Sequence, residues 1–382
     1  MVFKNIARII MQQNKEIKEL AKLFFKLGSI SFGGPAAHIA MMEDEVVKKR
    51  KWMTPEHFLD LVGATNLIPG PNSTEMTMHC GYERAGWKGL LIAGFSFIFP
   101  AVIITSIFAW LYLKYGQLPE VAPYIYGIKP AVIAIIISAI LSLGKKALKN
   151  LEIGILGIIT LIACLLGLNE IIALFACGAL GLFLYFIKNN RQSLNGFFPF
   201  LLFQSLPQDI TTFKIFFVFL KVGALLYGSG YVLFAFLDAE LVTTGYLTRQ
   251  ELMDAVAIGQ FTPGPILSAA TFIGWQVNGF WGAMAATLGV FIPSFLFVSL
   301  LNPLLPKLRK VKPMVAFLDA INVASVAVII AVCIEMGREA ITDWRTAVIA
   351  VFSLSVIFVF KKLNSAFIVV SGALIGYILF LV

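Results

Sequence analysis

The chain has 382 residues, 59% of them hydrophobic and 13% charged, whereas a soluble domain carries roughly 25% charged residues. A mean hydropathy of +0.87 and apolar runs at 90–113, 131–143, 281–301 and 366–382 exclude a soluble protein; they are also too continuous for barrel strands, which alternate over about ten residues. The formal charge of +9 does not point to nucleic acid, because the Lys and Arg residues fall in short loops, as expected of the cytoplasmic face of a membrane protein.

The chain therefore reads as an all-α polytopic membrane protein. Residues 1–11 (MVFKNIARIIM) lack a long apolar stretch and a small-residue cleavage site, so no secretory signal is expected. Residues 17–28 read as an amphipathic helix that runs into a break at Phe32-Gly33-Gly34-Pro35, and a second helix continues to Glu45. Lys48-Lys49-Arg50-Lys51 is the densest basic cluster. Residues 55–84 follow as a helical hairpin whose tip is Asn66-Leu67-Ile68-Pro69-Gly70-Pro71. Proline removes a backbone donor and stops a helix, and glycine permits the tight turn between two of them. Pro71 suits the first position of the next helix. Membrane runs are expected at about 88–113, 123–144, 151–167 and 170–187, followed by an aromatic linker at 192–210.

The second half repeats the first. Phe25-Lys26-Leu27-Gly28 matches Leu220-Lys221-Val222-Gly223, Gly33-Gly34-Pro35 matches Gly228-Ser229-Gly230, and Glu45 matches Glu240, all at an offset of 195. Trp52-Met53-Thr54 matches Tyr246-Leu247-Thr248 at 194, which also aligns Pro69-Gly70-Pro71 with Pro263-Gly264-Pro265. Gly86-Trp87-Lys88-Gly89 matches Gly279-Phe280-Trp281-Gly282 at 193, as do Pro100 and Pro293. The chain is thus an internal duplication with repeats at 1–190 and 191–382. Basic loops at 48–51, 84–88, 145–149 and 188–191 have near-neutral counterparts in the second half, whereas the basic loops 307–312 and 361–362 match nearly neutral loops of the first. Positive charge has changed sides, so the repeats are expected to be inverted in topology. Strict inversion conflicts with Lys4, Arg8, Lys15, Lys18 and Lys22, which argue for a cytoplasmic N-terminus. Either the first segment lies at the surface instead of crossing, or the linker adds membrane depth.

Inverted repeats with broken helices place a solute site near the bilayer midplane. Irregular backbone survives at that depth only where protein buries it or water reaches it. Helix N-termini after Gly33-Gly34-Pro35, Gly228-Ser229-Gly230 and both tips each bring about half a positive charge and free N–H donors, and four such ends would favour an anion. Lys26 and Lys221 are either snorkelling residues or intramembrane cations beside that path. Asn66 and Gln260, three residues before each tip proline, are solute ligands or caps of the broken helix. Thr262, Ser73 and Ser268 are weaker candidates, since such hydroxyls often bond back to their own helix. Glu45 and Glu240 suit salt bridges or a proton relay. Glu75, in the first turn after tip one, suits the helix dipole or titrates during transport. Asp60 and Asp254 align, and Glu335 is expected to pair with Arg338. Cys80, Cys164, Cys177 and Cys333 lack ligand spacing, and His38, His57 and His79 do not cluster, so no metal or cofactor is expected. No GxSxG, HExxH or phosphate-loop motif is present, so neither an enzyme nor an ATP-driven pump is indicated.

The segments FKLGSISFGGPAAHIAMMEDEVVKKRKWMTPEHF, NLIPGP, QFTPGP and FIGWQVNGFWGAMAATLGVFIPSF resemble the chromate ion transporter family over essentially the whole chain, in its long two-domain form. The resemblance implies export of chromate, a sulfate-like oxyanion, across a bacterial inner membrane. The expected partners are an inorganic oxyanion and the lipid bilayer, with the proton gradient or counter-ion exchange as alternative driving forces, protons as a candidate coupling ion and a homodimer as a candidate assembly. Gly228-Ser229-Gly230 departs from the Gly-Gly-Pro of the first repeat, and Glu75 has no acidic counterpart. The rival readings are transport of another small anion, a channel, and a membrane enzyme or scaffold that binds a lipid phosphate.

Overall fold

The structure is a computed structural model and describes residues 2–32, 34–116, 118–189, 211–228, 230–301, 312–360 and 363–380. Gly33, Ser229, the linker 192–210 and most of the basic loop 307–312 lie outside the described residues. The described residues form fourteen helices and no strand, seven per half. In the first half these are α1 (Val2–Ile30), α2 (Gly34–Glu43), α3 (Pro55–Thr65), α4 (Asn72–Tyr115), α5 (Ala122–Ala147), α6 (Leu151–Leu165) and α7 (Glu170–Asn189). Their counterparts are α8 (Thr212–Leu225), α9 (Val232–Leu237), α10 (Arg249–Phe261), α11 (Ala269–Leu301), α12 (Lys312–Ala340), α13 (Trp344–Val359) and α14 (Ser365–Phe380). A π-helical turn extends α2 over Asp44–Lys49 and α9 over Asp238–Val242, so even this irregularity is duplicated.

Two of the longest helices are folded hairpins. In α4 the backbone leaves helical geometry at Ala85 and Gly86, with φ of +61° at Gly86; in α11 it does so at Asn278 and Gly279, with φ of +54° at Gly279. Glycine reaches this left-handed region without a Cβ penalty. The arms then pack back on each other so tightly that a Cβ on Gly81 would overlap the backbone of Gly89, and one on Gly274 that of Gly282. By length and apolar composition the second arm of each suits a membrane crossing, whereas the first arm pairs with α3 or α10 as a short helical hairpin. At 11 residues α3 is about 16 Å long, roughly half a hydrocarbon core.

The α1–α2 and α8–α9 pairs also enter and leave by one face. The burial of Leu20, Leu23, Phe24 and Leu27 fixes the inward stripe of α1. Glu16 and Glu19 of α1 pair with Arg84 and Arg50 at the face that carries Lys48, Lys49, Lys51 and Lys88. That face also holds the Lys149–Asp319 and Lys188–Glu152 pairs. The opposite face gathers Asp238, Glu335 and Glu339 around Arg249, with Tyr126 bonded to Asp343 beside them. The first pair of helices turns back in the membrane, so α1 starts on the basic face. Asn189 lies on that same face, whereas Lys214, bonded to Tyr246, lies on the other.

The halves interlock. α5 packs against α13 and α14 of the other repeat, and α12 packs reciprocally against α6 and α7. Small residues permit the closest approach, as where Gly127 meets Gly372 and Gly376. The α4 and α11 crossing arms pack on each other at the centre, where Gly94 faces Phe295.

Candidate functional site

Each hairpin tip is docked on the other repeat. The Gly70 N–H of tip one donates to the carbonyl of Leu226 in the second-half break (2.7 Å), and the Gly264 N–H of tip two donates to Ser31 in the first-half break (2.8 Å). Gly70 and Gly264 have φ of +141° and +91°, as a proline-flanked turn needs. Pro71 and Pro265 precede the first helical residue instead of occupying it, a correction of one position from the sequence expectation. In the breaks, Gly34 and Gly228 take φ of +80° and +87°. Pro35 is the second residue of α2, and Gly230 packs on Ile266 beside tip two. The breaks bring helix C-termini as well as N-termini: α1, α3, α8 and α10 end where α2, α4, α9 and α11 begin. Their dipoles offset in part, so the site's polarity depends on side chains more than the four N-termini alone imply.

Those side chains differ between the two tips. At tip one, the Glu75 carboxyl and the Ser294 hydroxyl both crowd the position a Cβ on Gly70 would take. Glu75 is fully buried, and neither of its oxygens nor the Ser294 hydroxyl makes a well-formed hydrogen bond. Around Gly264 the nearest atoms are the Ala101 methyl, where Ser294 stands in the other tip, and the carbonyl oxygens of Gly28 and Phe97, and the residue aligned with Glu75 is Ala269, so among the described residues no ionisable side chain meets this tip. The hydroxyls of Thr74 and Ser268, in matching first turns after the tips, are likewise buried without partners. Buried unsatisfied groups cost about 1–3 kcal/mol each, so a cluster of them at the tips is a costly arrangement that a polar partner would relieve.

The amides diverge too. Gln260 is buried, with Nε2 donating to the Tyr231 hydroxyl (3.0 Å) and its backbone carbonyl accepting from Ser365 (3.3 Å). Asn66 is exposed, donates to Val62 O and accepts from Asn72 Nδ2 (2.7 Å), which fits the capping reading. Pro69 and Pro263 are buried at their tips. The Thr262 hydroxyl bonds back to Ile258 O (2.7 Å), as expected of membrane hydroxyls.

The repeat-matched lysines are neutralised by the repeat-matched glutamates. Lys221 meets Glu240 at 2.7 Å and Lys26 meets Glu45 at 3.5 Å, each pair tying the arms of one hairpin together. Glu45 also takes Arg50 and Lys49. Burial works against its ionisation, but the hydrogen bonds from Arg50 and Lys49 outweigh it and hold the carboxyl below the usual range. Glu335 pairs with Arg249 (2.6 Å), not with Arg338, because α10 begins beside the end of α12; this corrects the sequence expectation. Asp254 is buried and accepts from the Tyr112 hydroxyl (2.6 Å), whereas its counterpart Asp60 is exposed.

Two residues at the centre escaped the sequence reading. His38 sits between Ser31 O and Ser73 Oγ, at 3.2 Å from each. A carbonyl only accepts, so Nε2 carries the proton and Nδ1 accepts from the Ser73 hydroxyl. His38 thus links the break that holds tip two to the helix that follows tip one. Ser294 gave no motif, being one hydroxyl in a crossing helix. Its alignment with Ala101, one residue after the shared proline, was the only signal.

Two seven-helix repeats, interlocked and with broken helices whose tips dock on each other, define an all-α polytopic membrane protein. More particularly, the chain belongs to the Chromate transporter family, whose sequence model matches it twice, over residues 18–182 and 213–377. It is 31% identical over 376 residues to the probable chromate transport protein of Synechococcus elongatus, covering 95% of this chain and 95% of that one. It is 29% identical over 374 residues to the chromate transport protein of Cupriavidus metallidurans, covering 95% and 93%. An uncharacterized transporter of Bacillus subtilis is 26% identical over 161 residues, 42% of this chain but 80% of its own length. No solved structure matches.

Proposed function

We propose that the protein is a secondary active transporter that exports chromate, or a related divalent oxyanion such as sulfate, across a bacterial inner membrane. The basic face would lie in the cytoplasm, in keeping with the positive-inside rule. Family membership supports the solute class. The observation that carries the mechanism is the reciprocal docking of the tips, Gly70 on Leu226 and Gly264 on Ser31. Undocking either tip would expose backbone N–H groups together with the unpartnered hydroxyls of Thr74 and Ser268, which are donors suited to oxyanion oxygens. Gln260, held by Tyr231, would add an amide donor at tip two. Lys26 and Lys221 are assigned to bracing the hairpins, because Glu45 and Glu240 neutralise them. The two halves would alternate by rocking about the central α4–α11 contact.

The test is uptake of labelled chromate into inverted vesicles under an imposed pH gradient, with sulfate as competitor. Saturable uptake that collapses with the gradient is the expected result. Uptake no greater than in vesicles lacking the protein would refute the chromate reading.

A further inference from the structure

The two hairpin tips are related by the duplication, yet only tip one carries an ionisable group. Resting on the transport reading above, we propose that Glu75 is the single site that carries the coupling proton, and that its protonation permits tip one to close on the second repeat, and to reopen, while tip two plays no part in proton binding. Three observations carry this.

Glu75 is wholly enclosed, and the side-chain partner its carboxyl meets is the neutral Ser294 hydroxyl, with no well-formed hydrogen bond to either oxygen. The groups that press on it are the Gly70 backbone and the Ser294 hydroxyl. The titratable residues around it are Tyr227 of the α8–α9 break, His79 one turn further along α4, and His38 beyond Ser73. No Lys or Arg is paired with it among the described residues. An enclosed carboxylate with one neutral hydroxyl beside it and no paired cation is strongly disfavoured, so the docked arrangement suits the neutral acid.

Second, the other two candidate carboxyls are already committed. Glu45 has three cations around it and Glu240 has Lys221. Third, the position equivalent to Glu75 is Ala269 and that equivalent to Ser294 is Ala101, so the second tip offers no proton acceptor at the matching place. Docking of tip one then becomes the two-state element. The carboxylate gains a proton when the tip is open to water, and the neutral carboxyl is enclosed as Gly70 N–H reaches Leu226 O. Reopening lets the proton leave, regenerating the carboxylate.

The experiment compares full-length wild type, Glu75→Gln and Glu75→Asp, each reconstituted in liposomes containing a trapped pH-sensitive dye. Glu75→Gln is expected to retain chromate counterflow within about twofold, and to lose at least tenfold in gradient-driven accumulation and in the accompanying proton flux; Glu75→Asp is expected to restore part of both. Gradient-driven accumulation equal to wild type in Glu75→Gln, or loss of counterflow along with it, would overturn the proposal. A second readout stands apart from chromate. Infrared difference spectra between acid and alkaline pH should show the carbonyl stretch of a buried protonated carboxyl, absent in Glu75→Gln and shifted in its pH midpoint in Ser294→Ala. If wild type moves no chromate, the transport reading fails while the spectra still decide the proton site. A band that persists unchanged in Glu75→Gln overturns the assignment.

Discussion

Lys26 and Lys221 occupy the same place in the two repeats, but the structure gives them unequal weight. The Lys221–Glu240 contact is 2.7 Å long, with side chains 23% and 18% exposed. Hydrogen bonds to charged groups at such partly enclosed sites contribute about 1.5–3 kcal/mol net. Replacing Lys221 by Met leaves Glu240 without that partner, so the loss should fall in this range, a factor of ten or more in the unfolding equilibrium. Lys26 is 59% exposed and 3.5 Å from Glu45, which keeps Arg50 and Lys49 when Lys26 is gone. An exposed, redundant pair contributes about 0–1 kcal/mol, so Lys26→Met should be nearly silent. Denaturant unfolding in mild detergent measures both variants against wild type. Glu240→Gln in the Lys221→Met background should recover part of the loss, because the charge left unpaired is removed. Equal destabilisation by the two single variants, or a larger loss in Lys26→Met, would refute the argument that the glutamate's remaining partners decide the outcome.

Three further outcomes follow from the geometry. Gly81→Ala and Gly274→Ala should each destabilise the protein by about 1–3 kcal/mol, because the new methyl meets backbone that cannot move aside. Gly337→Ala, where nothing lies within 4 Å, should be tolerated in the same thermal-melt assay. Tyr112→Phe removes the hydroxyl that serves buried Asp254 and should cost about 1–3 kcal/mol, with Asp254→Asn in that background regaining some of it. Asp343 caps α13, and the Tyr126 hydroxyl and then the Thr346 N–H hold its carboxyl below the usual range. A depressed carboxyl contributes stability above its unfolded pKa and loses it as pH falls through the folded value. Asp343→Asn should therefore be less stable than wild type at neutral pH, and the gap should close in acid.

The sequence alone determined the membrane class, the duplication, the inversion and the positions of both tips. Each rests on local chemistry: apolar runs of span length, proline and glycine as breakers, and charge that changes loops between halves. The lysine–glutamate pairs were half legible, since matched offsets suggested partners without showing that Lys26 and Lys221 would be neutralised. The fold-back of α4 falls at Ala85 and Gly86, between the expected hairpin at 55–84 and the expected membrane run from about 88, although the local chemistry that marks it is no stronger than one glycine, Gly86, as Gly279 is in α11. Only the tertiary structure could show that each tip docks on the opposite repeat, because a bond between Gly70 and Leu226 joins residues that no local pattern relates. The same holds for the chemistry of the tips. Glu75 became a candidate from its position after tip one, but its isolation depends on Ser294 and Tyr227 arriving from the other half. A carboxyl's charge state depends on what surrounds it in space, and in an interlocked duplication those neighbours come from far along the chain.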